Sequence, residues 1–484
     1  MKTNSSEMRL AALFMPLLAT LPHHPLAAKN QVQGMNVLFI IADDMRPALG
    51  CYGYPQVLTP NIDRVAARGT VFRQAYCNAP ISGASRASLL TGLYPSMPER
   101  FSRFDAWASK DAPDAVTIPL WFKNNGYTTL SVGKVFHNLK DHDTDWSEYP
   151  WRLNPDGYGR DWADYNKWEL WLNDDSSTYV NEKTGRGPFC EAANRPDEDY
   201  DDGQVAQKAI DNLKKLAQSQ APFFMAVGFW RPHLPFNCPQ KYWDLYDEDE
   251  ILIAENRFLP ENMPRQCTGS TEIRGYGLVG DTSDPAFHAK ARHAYYACVS
   301  FIDAQIGKII SELERTGLSE NTVVVIIGDH GWHLGEHNFW GKHNLLFNAI
   351  AAPLIIAAPD GRGRVTEAVA QFVDIFPTMC DYAGLNIPSG LSGKSLRPVV
   401  DGRKKSVNDY AFIQWESGMS VADGRFVYTS WYGKDGERKA QMLYDHKRDP
   451  DENHNVVLNP AYGRHSSRLA EILDAFRLWL KSDK

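Results

Sequence analysis

The stretch "NVLFIIADD", Asn36–Asp44, runs an unbroken apolar segment straight into two consecutive carboxylates. A run this short and rich in β-branched residues, without polar alternation, reads as a strand buried on both faces of a sheet. The same design recurs along the chain. "TTLSVG" (Thr128–Gly133) leads into Lys134 and His137, and "PFFMAVGF" (Pro222–Phe229) leads into Arg231 and His233. "TVVVIIG" (Thr322–Gly328) leads into Asp329 and His330, and "PLIIAA" (Pro353–Ala358) completes the set. Helical segments lie between them, as in "NIDRVAARG" (Asn61–Gly69) and in His293–Gly317, where Val299, Ile302, Ile306, Ile309 and Leu313 recur at helical spacing. Strands alternating with helices predict an α/β fold with a large, mostly parallel central sheet flanked by helices. Such sheets bind ligands beyond the carboxyl ends of their strands. A lone strand-end Asp is commonly a turn residue or a helix cap. Four runs ending in chemically capable side chains point instead to a site.

Around this frame the chain has ordinary globular composition: 484 residues, 43% hydrophobic, 23% charged. A net charge of −8 argues against nucleic acid as a partner. It leaves small anions open, because a few local cations can reverse the field in a cleft. No apolar run is long enough to span a membrane. Lys2 and Arg9 precede "LAALFMPLLATL" (Leu10–Leu21), and small residues follow at Ala27–Ala28. This predicts an export leader over residues 1–28 and a periplasmic or secreted protein. The seven cysteines include no CxxC pair, so neither a zinc ribbon nor a dithiol redox site is indicated. After export one disulfide could form.

A catalytic domain is expected over residues 34–400. The segment from about Asp141 to Gly203, dense in Trp, Tyr, Asp and Gly, reads either as loops over the sheet edge or as a surface insertion packed by its own aromatics. Beyond residue 400 the pattern changes to short strands with turns at Asp423–Gly424 and Asp435–Gly436. Leu469, Ile472, Leu473, Phe476, Trp479 and Leu480 then share one helical face. Residues 401–484 are therefore expected to form a smaller α+β subdomain with an antiparallel sheet.

Three carboxylates, Asp43, Asp44 and Asp329, end two different strands. Gathered together they would repel unless a cation sat among them. Oxygen donors favour Ca²⁺ or Mg²⁺, while His330 keeps zinc open. Arg86, Lys134, His137, His233 and Lys342 supply the cations and proton carriers needed to clamp an anionic ester and protonate its leaving oxygen. Ser82 opens a helical turn, a favourable place for an anionic group. It lacks the GxSxG elbow of a serine hydrolase.

Ser82-Gly83-Ala84-Ser85-Arg86, followed by "ASLLTG", resembles the formylglycine motif of the type I sulfatases, members of the alkaline phosphatase-like superfamily. "VLFIIADDMRP", "TIPLWFKNNGYTTLSVGKVFH", "GFWRPHLPF", "GDHGWHLGEHNFWGKHN" and "LYDHKRDPDENHN" resemble family segments in the expected order, covering nearly the whole chain after the leader. "DDMRPALGCYG", "SVGKVFH", "RPHLPF" and Asp329-His330 are most similar to the iduronate-2-sulfatase-like subgroup.

The resemblance implies that Asp43, Asp44, Asp329 and His330 ligate Ca²⁺ together with a formylglycine formed from Ser82. It implies that Arg86 and Lys134, assisted by His137, hold that residue, and that His233 and Lys342 contact the sulfate, His233 donating the proton. Ser85 fits the motif without assigned chemistry. Cys77 does not begin a shifted motif, because its fifth position is Ile81. The leading residue is Ser where most members carry Cys, which implies a radical-based serine-type maturase. The expected function is hydrolysis of a sulfated oligo- or polysaccharide, with 2-O-sulfated uronic acid units as one candidate. Two other readings stay open: a phosphate or phosphonate monoesterase, for which His333, His337 and His343 could provide a second metal site, and a non-catalytic binder of sulfated glycans.

Overall fold

A computed structural model of the chain describes residues 34–96, 98–153, 171–173 and 178–482. The expected leader, residues 1–28, lies outside the described residues, as do 154–170 and 174–177 of the aromatic segment.

The quoted apolar runs are strands. They are β1 (Asn36–Ala42), β3 (Thr128–Gly133), β4 (Phe223–Phe229), β5 (Thr322–Gly328) and β6 (Leu354–Ala357), joined by two strands the sequence did not announce, β2 (Thr70–Tyr76) and β7 (Arg364–Gln371). They form one seven-stranded sheet in the order β7–β2–β6–β5–β1–β4–β3. β3, β4, β1 and β5 pair in parallel, as do β2 and β7. β6, the run counted above with the parallel set, pairs antiparallel to both β5 and β2. The sheet is mostly parallel, with one reversed strand inside it.

The lack of polar alternation in β1 has a direct cause. Leu38 and Ile40 pack into a core on one face of the sheet, while Val37, Phe39 and Ile41 pack into a second core on the other. The first core includes Val299, Ile302, Ile306, Ile309 and Leu313. They lie on a helix that runs Pro285–Arg315, capped by Asp284, whose side chain accepts from the Ala286 amide. The helix starts earlier than the sequence periodicity indicates, because Pro285 at its first turn is already set to a helical φ. The second core takes Ala84, Ala87, Leu89 and Leu90 from α1 (Ser82–Thr91), a helix with every residue buried.

Toward the C-terminus, β8 (Ala411–Trp415), β9 (Gly418–Ala422), β10 (Phe426–Tyr432) and β11 (Arg438–Asp445) make a four-stranded antiparallel sheet. α2 (Gly463–Ser482) lays Leu469, Leu473 and Phe476 against its Tyr428 and Leu443. The other face shares a core with Tyr76, Ile350 and Val369, so the small sheet is packed onto the rim of the large one. All seven cysteines are free thiols. Among the described residues no helix is long and apolar enough to cross a membrane.

Candidate active site

Strand register brings the polar residues to one level. Ala42 pairs with Gly328 and with Phe229, and Gly133 pairs with Gly228. Asp43 and Asp329 therefore leave neighbouring strands side by side, and Lys134 leaves β3 at the same level beyond β4, which the "RPH" segment follows. Successive strand side chains point to opposite faces. Asp44 escapes that rule by turning into the left-handed region at φ 62°, so both Asp43 and Asp44 enter the cluster. Gly228 is required for the strands to close up here, since a Cβ on it would lie 1.8 Å from the Lys134 carbonyl oxygen.

The resulting cluster is almost dry. Asp43, Asp44, Asp329 and His330 are fully buried, and each offers a ligand atom within 4.8 Å of the others. Ser82, the first residue of α1, donates its hydroxyl to Asp43 Oδ1 at 2.9 Å and lies 3.0 Å from His330 Nε2. Arg86, one turn further along α1, reaches Asp329 Oδ2 through Nε at 2.9 Å and Asp43 Oδ1 at 3.4 Å. It also donates to the carbonyls of Lys134 and Val135. Ser85 ties the helix to the same strand end by donating to the Asp329 carbonyl at 2.5 Å. Lys134 pairs with Asp43 Oδ2, and Lys342 lies 2.8 Å and 2.9 Å from the two oxygens of Asp44. His233 Nε2 faces Asp44 at 3.8 Å. His137 lies at the edge of the cluster, its ring edge-on to Phe104 and its carbonyl accepting from Arg152.

The electrostatics follow from this crowding. Burial disfavours ionisation of Asp43, yet Lys134 and Arg86 overcome it and hold its carboxyl well below the usual range. Asp44 goes the other way: burial, then Asp43, Glu272 and Asp329, push it well up in spite of Lys342. Burial also lowers the pKa of His330, which favours the neutral imidazole. Its Nδ1 donates to the Gly331 carbonyl at 2.9 Å, which leaves the Nε2 lone pair facing Ser82 and the carboxylates. Three carboxylate groups and a correctly oriented neutral imidazole, with one carboxyl driven up by its neighbours, are the donor set that a hard divalent cation fits.

His233 is similarly fixed. Its Nδ1 donates to the Leu234 carbonyl at 2.6 Å, and burial with Lys342 pulls its pKa down to about 3.

Sequence reading missed Glu272. Its Oε1 lies 3.4 Å from His233 Nε2 and its Oε2 lies 3.3 Å from Lys342 Nζ. Burial opposes its charge, but Lys342 and His233 hold its pKa down to about 2. It stands in "TGSTEIRGYG", a stretch without periodicity, where an acidic residue carries no signal of its own. A supporting layer was missed as well. Arg46 and Arg292 both contact Glu336 at 2.9 Å, and Tyr295 donates to the Asp44 carbonyl at 2.8 Å, bracing the turn that presents Asp44.

The other histidines have separate partners. His333 Nε2 faces Asn344 at 3.2 Å, and the ring nitrogens of His337 face the carbonyls of Phe258 and Asp451. His343 stacks on Trp415 at 5.3 Å. Among the described residues, the group able to hold a metal is Asp43, Asp44, Asp329 and His330.

Comparison with known proteins gives a concordant picture. A family profile described as Sulfatase matches residues 35–385, and one described as N-sulphoglucosamine sulphohydrolase, C-terminal, matches residues 335–478. Human iduronate 2-sulfatase is 32% identical, the alignment covering 89% of this chain and 92% of that one. Among solved structures, a 2-O GAG sulfatase superposes with a TM-score of 0.70 at 23% identity, covering 93% of each chain. A phosphonate monoester hydrolase from Silicibacter pomeroyi gives 0.72 at 24% identity, covering 92% of this chain and 95% of that one. At these identities the two structures speak to the fold alone.

Proposed function

The chain belongs to the sulfatase family of sulfuric ester hydrolases, and we propose that it cleaves sulfate esters of a sulfated glycan through a formylglycine formed at Ser82 and a calcium ion. The observation that carries this reading is the position of Ser82 Oγ, 2.9 Å from Asp43 and 3.0 Å from His330, on the rim of the ligand cluster. The His330 nitrogen that faces the Ser82 hydroxyl belongs to the proposed ligand set, so it is not at hand to activate a plain serine for repeated turnover. An aldehyde hydrate at this position would supply two hydroxyls on one carbon, a nucleophile for sulfur and a second group through which sulfate could be released without leaving a stable ester. Asp43, Asp44, Asp329, His330 and residue 82 would hold the calcium ion, which would supply positive charge for the sulfuryl group.

The chain's own residues then divide the remaining work. Arg86 and Lys134, with His137 beside them, fix Asp43 and residue 82. Lys342 and His233 receive the sulfuryl group from the opposite side. Because Nδ1 already bears the hydrogen it donates to Leu234, the transferable proton of His233 belongs on Nε2. The negative charge of an arriving ester strengthens that site's hold on a proton, which His233 passes to the leaving oxygen. The turn that carries Glu272 continues into Arg274 and Tyr276, which line an open groove of about 660 Å³ with Val180–Lys183. The similarity to iduronate 2-sulfatase favours a 2-O-sulfated uronic acid unit. The reading includes export through residues 1–28, a catalytic unit over 34–400 closed by 401–484, and a serine-type maturase acting on Ser82.

Two measurements test it. Mass analysis of the peptide containing residue 82 is expected to show a loss of about 2 Da relative to serine, the two hydrogens removed on oxidation. Matured protein is then expected to release sulfate from a member of a panel of defined sulfated oligosaccharides. Modified, calcium-loaded protein that turns over aryl phosphate in preference to every sulfate ester tried would overturn the substrate class.

A further inference from the structure

Glu272 is a carboxylate of the site that does not belong to the metal-ligating group. It faces the two side chains, Lys342 and His233, that the reading above assigns to the sulfuryl group. It is no casual visitor. Ser270 accepts the Glu272 amide on its hydroxyl at 3.1 Å, and the Ser270 amide donates to the Lys342 carbonyl at 3.1 Å. The two chains touch closely enough that a Cβ on Gly341 would lie 2.7 Å from the Ser270 Cβ. The segment bearing Glu272 is thus fastened by its backbone to the segment bearing Lys342, and the carboxylate is only 12% exposed. Lys342, which already meets both oxygens of Asp44, is shared by two carboxyl groups before any substrate arrives.

A sulfate monoester presents one negative charge on its sulfuryl oxygens. A phosphate monoester of the same shape presents about −1.5 to −2 at neutral pH. Shape cannot separate them, but charge can. A fixed carboxylate beside the anion seat penalises the second charge far more than the first, and burial magnifies the difference. Discrimination by an unfavourable contact with the wrong ligand is a common route to specificity.

We propose that Glu272 is a specificity-determining residue that matches this site to a monoanionic sulfuryl group and disfavours a dianionic phosphoryl group. The inference rests on the sulfatase reading for its substrate and on the Lys342–Glu272–His233 geometry for its mechanism. It does not require Glu272 to touch the reacting atoms.

The test uses the matured, calcium-loaded protein and the non-hydrolysable pair methanesulfonate and methylphosphonate, binding being read by calorimetry. In wild type, methylphosphonate is expected to weaken relative to methanesulfonate as rising pH removes its second proton. This arm needs no variant. Glu272→Gln is expected to improve methylphosphonate relative to methanesulfonate by tenfold or more at a pH where the phosphonate is dianionic. The same variant should raise kcat/KM for aryl phosphate relative to aryl sulfate by a similar factor, while Glu272→Asp keeps the wild-type ratios. Equal changes for both ligands, or a second ionisation that tightens methylphosphonate in wild type, would overturn the assignment. If wild type fails to hydrolyse any sulfate ester, the sulfatase reading falls. The binding ratios still judge Glu272 independently.

Discussion

The Lys342 ammonium sits 2.8 Å from Oδ1 and 2.9 Å from Oδ2 of Asp44, with both side chains sealed from solvent. Removing one partner of a buried pair strands the other charge. Lys342→Ala is therefore expected to destabilise the metal-free protein by about 3–5 kcal/mol, read by urea unfolding in chelator. Sulfate release by the calcium-loaded variant should fall by roughly 100-fold or more, the scale of losing one preorganised charge contact. A variant with wild-type stability and turnover would remove Lys342 from the site.

Metal removal should be visible without any substrate. Asp44 is driven up by burial and by Asp43, Glu272 and Asp329, so a divalent cation among them relieves the native state and not the unfolded chain. Calcium at about 100 times its dissociation constant is expected to add roughly 2.7 kcal/mol of stability. Calorimetric melting with and without EGTA checks this, and Asp44→Asn should blunt the difference.

A pH signature is expected far from the site. Asp303 accepts from the amides of Asn61 and Ile62, yet burial pushes its carboxyl up to about 6. A raised acid holds its proton in the folded state where the unfolded chain has already released it. This contribution to stability is thus greatest at low pH and declines as pH rises from about 4 to about 6, then stays flat. Asp303→Asn should make that decline shallower by the share Asp303 contributes, Asp202 and Asp374 being raised in the same way, and paired urea titrations of the two proteins at pH 4.5 and 7 measure the difference.

Gly228→Ala tests the geometry that lets β3 and β4 converge. The new methyl would meet the Lys134 carbonyl at 1.8 Å, backbone that cannot move aside. Overpacking of this kind costs roughly 1–3 kcal/mol or more. Because Lys134 itself shifts, activity should fall further than stability alone explains. Thermal melting and turnover measured together would refute this if both stay at wild-type levels.

Much of the site was legible because parallel strands write it in a regular way. Asp43, Lys134, His233 and Asp329 each follow an apolar run, and register does the assembly. The reversal of β6 was not legible, since "LIIA" is as apolar read in either direction and strand polarity depends on the connections around it. The early start of the Pro285 helix was hidden because "PAFHAKAR" carries its signal in a cap and a proline rather than in periodicity. Glu272 was out of reach for another reason. Its place is set by a backbone tie to Lys342, some seventy positions away in sequence, and nothing local announces such a tie.

Every residue of the helix Ser82–Thr91 is buried, and Ser82 itself is 4% exposed. Any enzyme that rewrites this side chain has to grip a stretch of open chain, which the folded protein no longer offers. If Ser82 is converted as proposed, the conversion would have to come before the sheet closes over this helix. On that proposal, folded protein still carrying plain serine is expected to stay inactive when a maturation enzyme is added later, and folding would set the deadline for becoming active.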